Sequence, residues 1–212
     1  MKDMPMFTTK NGIASLTLRE IPYSARAYIR IQTAADSKGL LEECVDFCRA
    51  VGACEIYATG NAFLAQYPVH TQIVRMAGCK QGMEKTTANA VPVATSEMAN
   101  FREVYNRKMA GVPNAAYMSQ QDAEKLLADR EGYFIQEMGQ TIGIGIAGEG
   151  SVKMLAATVP GAGKDVLCAL IAILPEQNIY LEVATENTKA MTLYERLGFR
   201  IIEHLATWYK IL

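Results

Sequence analysis

The sequence predicts a mixed α/β protein in which helices flank a sheet, because two kinds of periodicity alternate along it. Segments such as Leu16–Ile21 alternate apolar and polar residues, as half-buried strands do. Between Leu40 and Val51, apolar residues instead recur at helical spacing. Half of the 212 residues are hydrophobic and a fifth are charged, a composition that allows a sizeable buried core.

The first half predicts strands on both sides of that helix. Ala27–Thr33 alternates as Leu16–Ile21 does, Gly52 ends the helix, and Glu55–Ala58 has the composition of a further strand. The stretch 78–89 is polar and holds few large apolar residues, so it is the best candidate for a linker. We therefore divide the chain into an N-terminal subdomain at 1–77, a linker at 78–90 and a C-terminal domain at 91–212.

The second half predicts elements in the order β-α-α-β-β-β-α-β-α-β, which is typical of a mixed α/β domain. Ser119 is a suitable N-cap for the second helix, with Asp122 in its first turn. The predicted elements are the strand 91–94, the helices 96–109 and 119–129, the hairpin strands 133–138 and 141–147, the strand 152–159, the helix 164–174, the strand 179–184, the helix 188–197 and the strand 200–210.

A weak internal repeat links the two halves. An offset of 126 positions aligns Ala27–Asn61 with Lys153–Asn187 without a gap, and the order of elements matches over these 35 residues. Few residues are identical. We interpret the first 77 residues as a truncated β-β-α-β copy of the second half, while a general similarity between α/β units remains the alternative.

The segment Leu181–Phe199 carries the most specific motif. A strand ends at Asn187, Ala190 follows three residues later, and a Leu-Tyr pair at Tyr194 precedes Gly198-Phe199 by four residues. This pattern resembles the hallmark of GCN5-related N-acetyltransferases (GNAT enzymes). The resemblance implies a GNAT fold, in which helices flank a mixed and mostly antiparallel twisted sheet. It also implies transfer of acetyl from acetyl-CoA to an amine, on a small molecule or a peptide N-terminus, by direct attack.

The same resemblance suggests two catalytic residues. In GNAT enzymes the tyrosine that matches Tyr194 commonly protonates the departing CoA thiolate; a buried core aromatic is the alternative. The triplet Leu-Glu-Val around Glu182 is similar to that of ribosomal-protein N-terminal acetyltransferases, in which this glutamate is the general base. Such a base is needed because an ammonium must lose a proton before it attacks a thioester. A solvated strand residue or an ion-pair partner is the alternative for Glu182.

The turn 159–166 occupies the place of the GNAT pyrophosphate loop. A glycine-containing turn that opens a helix presents free backbone N–H groups to an anion. It departs from the family pattern, because no Gln or Arg precedes the glycines and Asp165 adds negative charge, which Lys164 is placed to offset. The cofactor-binding residues that the resemblance implies are Ala157, Thr158, Val159, Gly161, Ala162, Gly163, Lys164, Asp165, Val166, Asn187, Ala190 and Tyr194.

The acceptor side is indicated only by position. The segment between the first two helices of the second half should line the substrate cleft, which makes Tyr105, Asn106 and Tyr117 candidates, with ordinary packing as the alternative. A different class of function also stays open. With its atypical phosphate loop, the chain is also compatible with a binding or regulatory module that keeps the fold and has little or no activity.

Composition indicates few other partners. The 21 basic and 22 acidic residues are mixed along the chain, so we expect no nucleic-acid partner. We also expect no metal, because the five cysteines and two histidines show no zinc-type spacing. Apolar stretches such as Val166–Leu174 are too short to cross a bilayer, and the N-terminus lacks a signal-peptide pattern, so a cytoplasmic location is expected. A homodimer is compatible with the sequence.

Overall fold

The computed structural model describes residues 5–212, which form two compact units. The first unit contains the chain up to Ile73 together with Leu205–Leu212, and the second contains Val74–His204. This division differs from the predicted one at 1–77, 78–90 and 91–212. Both boundaries fall inside strands, and the C-terminal residues join the first unit because Tyr209 pairs with Ala58. Sequence periodicity identifies strands but not their distant pairing partners.

The first unit packs one long helix on a small sheet, in which β1 to β4 are neighbours in chain order and the C-terminal end of β11 pairs with β4. The helix starts at Asp36, whose carboxylate accepts hydrogen bonds from the backbone N–H groups of Lys38 and Gly39. The elements are β1 (Met6–Thr9), β2 (Gly12–Thr17), α1 (Ile21–Ser24), β3 (Arg26–Ala34), α2 (Ser37–Ala50), β4 (Glu55–Thr59), a 3-10 helix (Ala62–Gln66) and the start of β5 (Val69–Cys79).

The second unit contains a sheet in the order β5-β10-β9-β8-β7-β6. Pairs β6–β7, β7–β8 and β8–β9 are antiparallel and β9–β10 is parallel, which confirms the predicted mixed, mostly antiparallel sheet. Its further elements are β6 (Asn89–Pro92), a 3-10 helix (Thr95–Glu97), α3 (Met98–Met109), α4 (Gln120–Asp129), β7 (Gly132–Glu137), β8 (Gln140–Gly148), β9 (Ser151–Ala157), α5 (Gly163–Ile173), β10 (Asn178–Ala184), α6 (Thr188–Arg196) and β11 (Arg200–Lys210).

Two helix pairs cover opposite faces of the second unit's sheet. On one face, α5 and α6 contribute to a buried cluster that includes Leu181, Val183 and Tyr194. On the other face, α3 and α4 pack in a separate cluster, in which Phe101 and Phe134 meet edge to face with ring centroids 5.6 Å apart. Because side chains alternate along a strand, each residue of β10 is assigned to one of these faces by its position.

The strand–helix–strand segments of the two halves share one pairing register. Both strand pairs are parallel, as predicted. In the first unit Arg26 pairs with Glu55, and in the second Val152 pairs with Leu181; the partners are 29 positions apart in each pair (26 to 55 and 152 to 181). A common register supports the gapless offset of 126 positions, although the origin of the first half as a truncated repeat stays a prediction.

Close packing of α5 on β8 depends on a glycine, so we expect Gly145→Ala to lower the free energy of unfolding by about 1–3 kcal/mol, the usual cost of overpacking. A Cβ at Gly145 would overlap the fully buried Leu170 side chain. Gly111→Ala is the matched control, because nothing lies within 4 Å of a Cβ there. Urea denaturation measures the difference. Equal unfolding free energies for the two variants would contradict this packing.

Candidate active site

The turn before α5 presents unpaired backbone donors at a helix start. Gly161 has a φ of +86°, a left-handed conformation that glycine adopts without strain. The helix begins at Gly163, and its first intrahelical bond runs from the N–H of Val166 to the carbonyl of Ala162, at 2.9 Å. The N–H groups of the first turn that precede Val166 therefore have no acceptor within the helix, and they point out of its N-terminal end.

Beside this turn the sheet opens between its two parallel strands. Within the described chain, β9 and β10 pair with each other only at Ser151–Tyr180 and Val152–Leu181. Both strands continue beyond these pairs, to Ala157 and Ala184. Backbone N–H and C=O groups on the facing edges therefore lack ladder partners and are available to an extended ligand placed between the strands.

Helix α6 begins where β10 ends, and it carries a buried tyrosine. The Asn187 side chain accepts a hydrogen bond from the N–H of Ala190 at 3.3 Å and so caps the helix. Tyr194 is 8% exposed, and its burial raises the pKa of the phenol to about 12. The helix also approaches the turn, because a Cβ at Gly163 would lie 3.4 Å from Leu193. Helix α6, which carries Tyr194, therefore lies next to the turn.

Comparison with solved structures identifies the fold. A GCN5-related N-acetyltransferase from Sphaerobacter thermophilus superposes with a TM-score of 0.58 at 15% identity, over 93% of this chain and 75% of that one. An acetyltransferase of the GNAT family from Colwellia psychrerythraea gives 0.54 at 9% identity, over 97% and 84%. The chain has the GCN5-related N-acetyltransferase fold.

Not every structural neighbour has a known activity. A conserved protein of unknown function from Staphylococcus epidermidis ATCC 12228 gives a TM-score of 0.58 at 10% identity, over 99% of this chain and 94% of that one. No protein-family model matches the chain, and no curated protein matches it either. The comparisons therefore show the GNAT fold across nearly the whole chain and leave the activity to be argued from the site.

Only one of the two units has the open strand pair. In the first unit β3 and β4 stay paired along the whole of β4, from Arg26–Glu55 to Arg30–Thr59. Asn61, the counterpart of Asn187 at the offset of 126, caps a short 3-10 helix through the N–H of Phe63. The closed pair leaves no place between the strands for a ligand, so the opening between paired parallel strands belongs to the second unit.

The charged residues beside the turn have partners on the segment between β5 and β6. The Asp165 carboxylate accepts a hydrogen bond from the Thr86 hydroxyl at 2.9 Å. The Lys164 ammonium lies 2.7 Å from the Glu84 carboxylate, and this contact raises the pKa of Lys164. The segment that we predicted to be a linker is thus part of the second unit. It contacts both charged side chains at this turn, Lys164 and Asp165.

The other predicted cofactor residues differ in accessibility. Val166 is fully buried in the core, so only its backbone faces the turn. Thr158 is held by β8, since its N–H donates to the carbonyl of Ile142 at 2.8 Å and its hydroxyl to that of Thr141 at 3.0 Å. Ala157 ends β9 within the opening, and Val159, Gly161 and Ala162 form the exposed part of the turn or its edge.

The structure places Glu182 in an ion pair. Its carboxylate lies 2.9 Å from the Arg75 guanidinium, which also contacts Glu203 at 2.7 Å. The Glu182 side chain is 53% exposed, which differs from the partly dry cleft that a base role predicts. This is the geometry of the ion-pair alternative, and the assignment of Glu182 as a base stays a prediction. Sequence analysis missed Arg75, because its strand β5 was not predicted.

Of the three predicted acceptor residues, Asn106 has a clear structural role. Its side-chain amide donates to the carbonyl of Met118 at 3.1 Å and accepts from the N–H of the same residue at 2.8 Å, which ties α3 to the start of α4. Tyr105 packs at the edge of the cluster under α3, and Tyr117 lies half-buried in the connecting loop. Their assignment to an acceptor cleft stays a prediction.

Among residues 5–212, no group of three or more His, Cys, Asp or Glu side chains could hold a metal ion. Over the same residues, none of the helices combines the length and the apolar character that crossing a membrane requires.

Proposed function

We propose that this protein is an N-acetyltransferase that transfers the acetyl group of acetyl-CoA to an amine. One observation carries the proposal: the parallel strands β9 and β10 separate beyond Val152–Leu181, beside a turn with unpaired backbone donors. A fold alone does not determine an activity. The opening and the turn together would supply the backbone donors and acceptors that an extended acyl-pantetheine with a pyrophosphate requires.

The donor would bind through backbone groups. The N–H groups that precede Val166 would hold the pyrophosphate, since a helix start favours an anion through free donors and through its dipole. The amide groups of the pantetheine arm would complete the edge of β9 up to Ala157, as an added strand does. No side chain is required for either contact, which accounts for the limited sequence signal at this site.

Two candidate proton carriers lie on opposite faces of the sheet beside the opening. Tyr194 belongs to the cluster under α5 and α6, with Leu181 and Val183. Glu182 lies between those two residues on β10 and therefore points to the other face. A thioester placed in the opening would be approached by an amine from the side of Glu182, and its sulfur could leave on the side of Tyr194.

The proposed reaction needs no covalent enzyme intermediate. The free amine nitrogen attacks the thioester carbonyl, the new C–N bond forms, and the C–S bond breaks as the tetrahedral intermediate collapses. Glu182 takes the proton that the acceptor ammonium loses and later releases it to solvent, and Tyr194 donates a proton to the CoA thiolate; the second proton, which the nitrogen loses as the amide forms, restores the Tyr194 hydroxyl. Burial keeps the Tyr194 phenol protonated at neutral pH, because it raises the pKa to about 12. The products are an N-acetylated amine and free CoA.

A second function is favoured by the charges at the turn. The carboxylates of Glu84 and Asp165 lie next to the proposed pyrophosphate site. Glu84 also forms an ion pair with Lys164, the lysine at this turn. If these charges exclude the phosphate, the protein is a binding or regulatory module with the GNAT fold. The two functions differ in whether acetyl-CoA binds at all.

We expect acetyl-CoA to bind and to raise the melting temperature. A ligand at 100 times its Kd stabilises the folded state by about 2.7 kcal/mol, because it binds only the folded protein. Calorimetry and thermal denaturation measure both quantities, with acetyl-pantetheine, which lacks the pyrophosphate, as the weaker control ligand. An assay of thiol release with polyamines, amino acids, aminoglycosides and peptides then identifies the acceptor. Silent calorimetry together with an unchanged melting temperature would favour the non-enzymatic module.

A further inference from the structure

Arg75 joins two carboxylates on one face of the second unit's sheet. Its guanidinium donates from Nη2 to Glu182 Oε1 at 2.9 Å and from Nη1 to Glu203 Oε2 at 2.7 Å. A planar guanidinium with separate donors fixes the direction of each partner, which a single ammonium does not. The three side chains therefore form a defined unit, which we call the Arg75 triad, with two negative charges and one positive charge.

The Arg75 triad contributes little to folding. The side chains of Arg75, Glu182 and Glu203 are 38%, 53% and 51% exposed. Ion pairs at such exposure contribute little to stability, because solvent and salt screen the charges. The triad lies at the proposed catalytic opening, so the effect of Arg75 on the position of Glu182 can be tested there apart from stability.

The position of the triad follows from the strand register. Glu182 is the first residue of β10 beyond Leu181, the last residue that pairs with β9. Its carboxylate therefore sits at the point where the sheet opens. Arg75 lies on β5, the neighbour of β10 in the sheet, between the buried residues Val74 and Met76 of the opposite face. Arg75 thus reaches Glu182 from the side away from the opening.

We propose that Arg75 is a positioning residue that holds the Glu182 carboxylate at the opening, with Glu203 as the second anchor of its guanidinium. This inference rests on the proposed function. Glu203 keeps the guanidinium oriented, so that Glu182 is held by one hydrogen bond to Oε1 while Oε2 stays available to the acceptor ammonium. The net charge of −1 on the Arg75 triad favours an acceptor whose reacting end is cationic.

The test compares four variants with the unaltered protein in the acetyl-transfer assay. Arg75→Ala should lower kcat by roughly 10- to 100-fold, because a misplaced reacting group costs that much, and should leave the Kd for acetyl-CoA unchanged. Arg75→Lys should recover part of the loss, since an ammonium reaches one carboxylate as a point charge. Glu203→Gln, which keeps an oxygen for the guanidinium, should lower kcat only a few-fold.

Arg26→Ala is the matched control, because Arg26 is 36% exposed and lies 2.7 Å from Glu55 in the first unit. It should leave kcat and KM unchanged. Full activity of Arg75→Ala would overturn the inference while the proposed function stands. An equal loss in Arg75→Ala and Arg75→Lys, accompanied by a lower melting temperature, would also overturn it and show a structural role. Absence of acetyl transfer by the unaltered protein, with every acceptor tested, would instead refute the proposed function.

Discussion

Tyr194→Phe is expected to lower kcat by roughly 10²- to 10⁴-fold, the usual contribution of a positioned proton donor. Phenylalanine keeps the ring that packs against Phe199, with centroids 6.1 Å apart, and removes only the hydroxyl. The Kd for acetyl-CoA should therefore stay nearly unchanged, because the lost interaction exists only when the thiolate leaves. Single-turnover kinetics separate this chemical step from binding.

The environment of Tyr194 supports a donor of protons rather than an acceptor. The side chain is 8% exposed, and burial raises the pKa from its ordinary value of 10.0 to about 12. The phenol thus remains protonated below pH 10, so kcat should not fall through loss of the Tyr194 proton anywhere below that pH. A fall in kcat that begins near pH 8 and is absent from Tyr194→Phe would contradict a phenol whose pKa is raised by burial.

Tyr133→Phe is a suitable control for Tyr194→Phe. Tyr133 belongs to the same unit but lies on β7, whereas Tyr194 lies on α6. The Tyr133 hydroxyl donates a hydrogen bond to the carbonyl of Arg130 at 3.2 Å. Tyr133→Phe should leave kcat within a few-fold of the unaltered protein. If Tyr194→Phe behaved like Tyr133→Phe, the tyrosine would be a packing residue and another group would protonate the thiolate.

The elements of the second unit could be predicted from the sequence because each is marked by residues that are close to one another along the chain. The capping box at Ser119 and Asp122 was visible as an N-cap pattern, and the structure shows both of its hydrogen bonds. The stretch Leu181–Phe199 predicted a strand followed by a helix, and both are present, with Asn187 as the cap of the helix. These features depend on residues that are neighbours in the sequence, so the sequence alone is enough to predict them.

What the sequence did not show depends on distant partners. Strand β5 (Val69–Cys79) was not predicted, so Arg75 could not be placed beside Glu182, more than a hundred positions later. The separation of β9 from β10 is likewise a property of pairing, and no residue type marks it. The partners of Asp165 and Lys164 on the 78–89 stretch were hidden for the same reason, because polar residues there predicted only a linker.

The substitution Glu182→Gln should remove the charge of this side chain while leaving the side chain in place. The amide of Glu182→Gln keeps an oxygen that can accept the Arg75 hydrogen bond, now 2.9 Å long, so the side chain should stay in place. What is lost is the ability to take a proton from the acceptor ammonium. If Glu182 is the base, kcat/KM for the acceptor should fall on the order of 10²- to 10⁴-fold.

The pH dependence tests whether Glu182 acts on the acceptor ammonium, and the split between kcat and KM distinguishes a base from a binding group. As the pH rises toward the pKa of the acceptor amine, more of the amine is already deprotonated, so the deficit of Glu182→Gln should shrink. A carboxylate that only binds the ammonium loses its effect over the same pH range, because the charge that it attracts disappears, but its removal should raise KM for the acceptor and leave kcat nearly unchanged, whereas removal of a base should lower kcat. Rates of Glu182→Gln and Glu203→Gln are therefore compared between pH 6 and pH 10, with Glu203→Gln removing an equal charge from the same guanidinium. A constant deficit across this range would show that the amine loses its proton by another route.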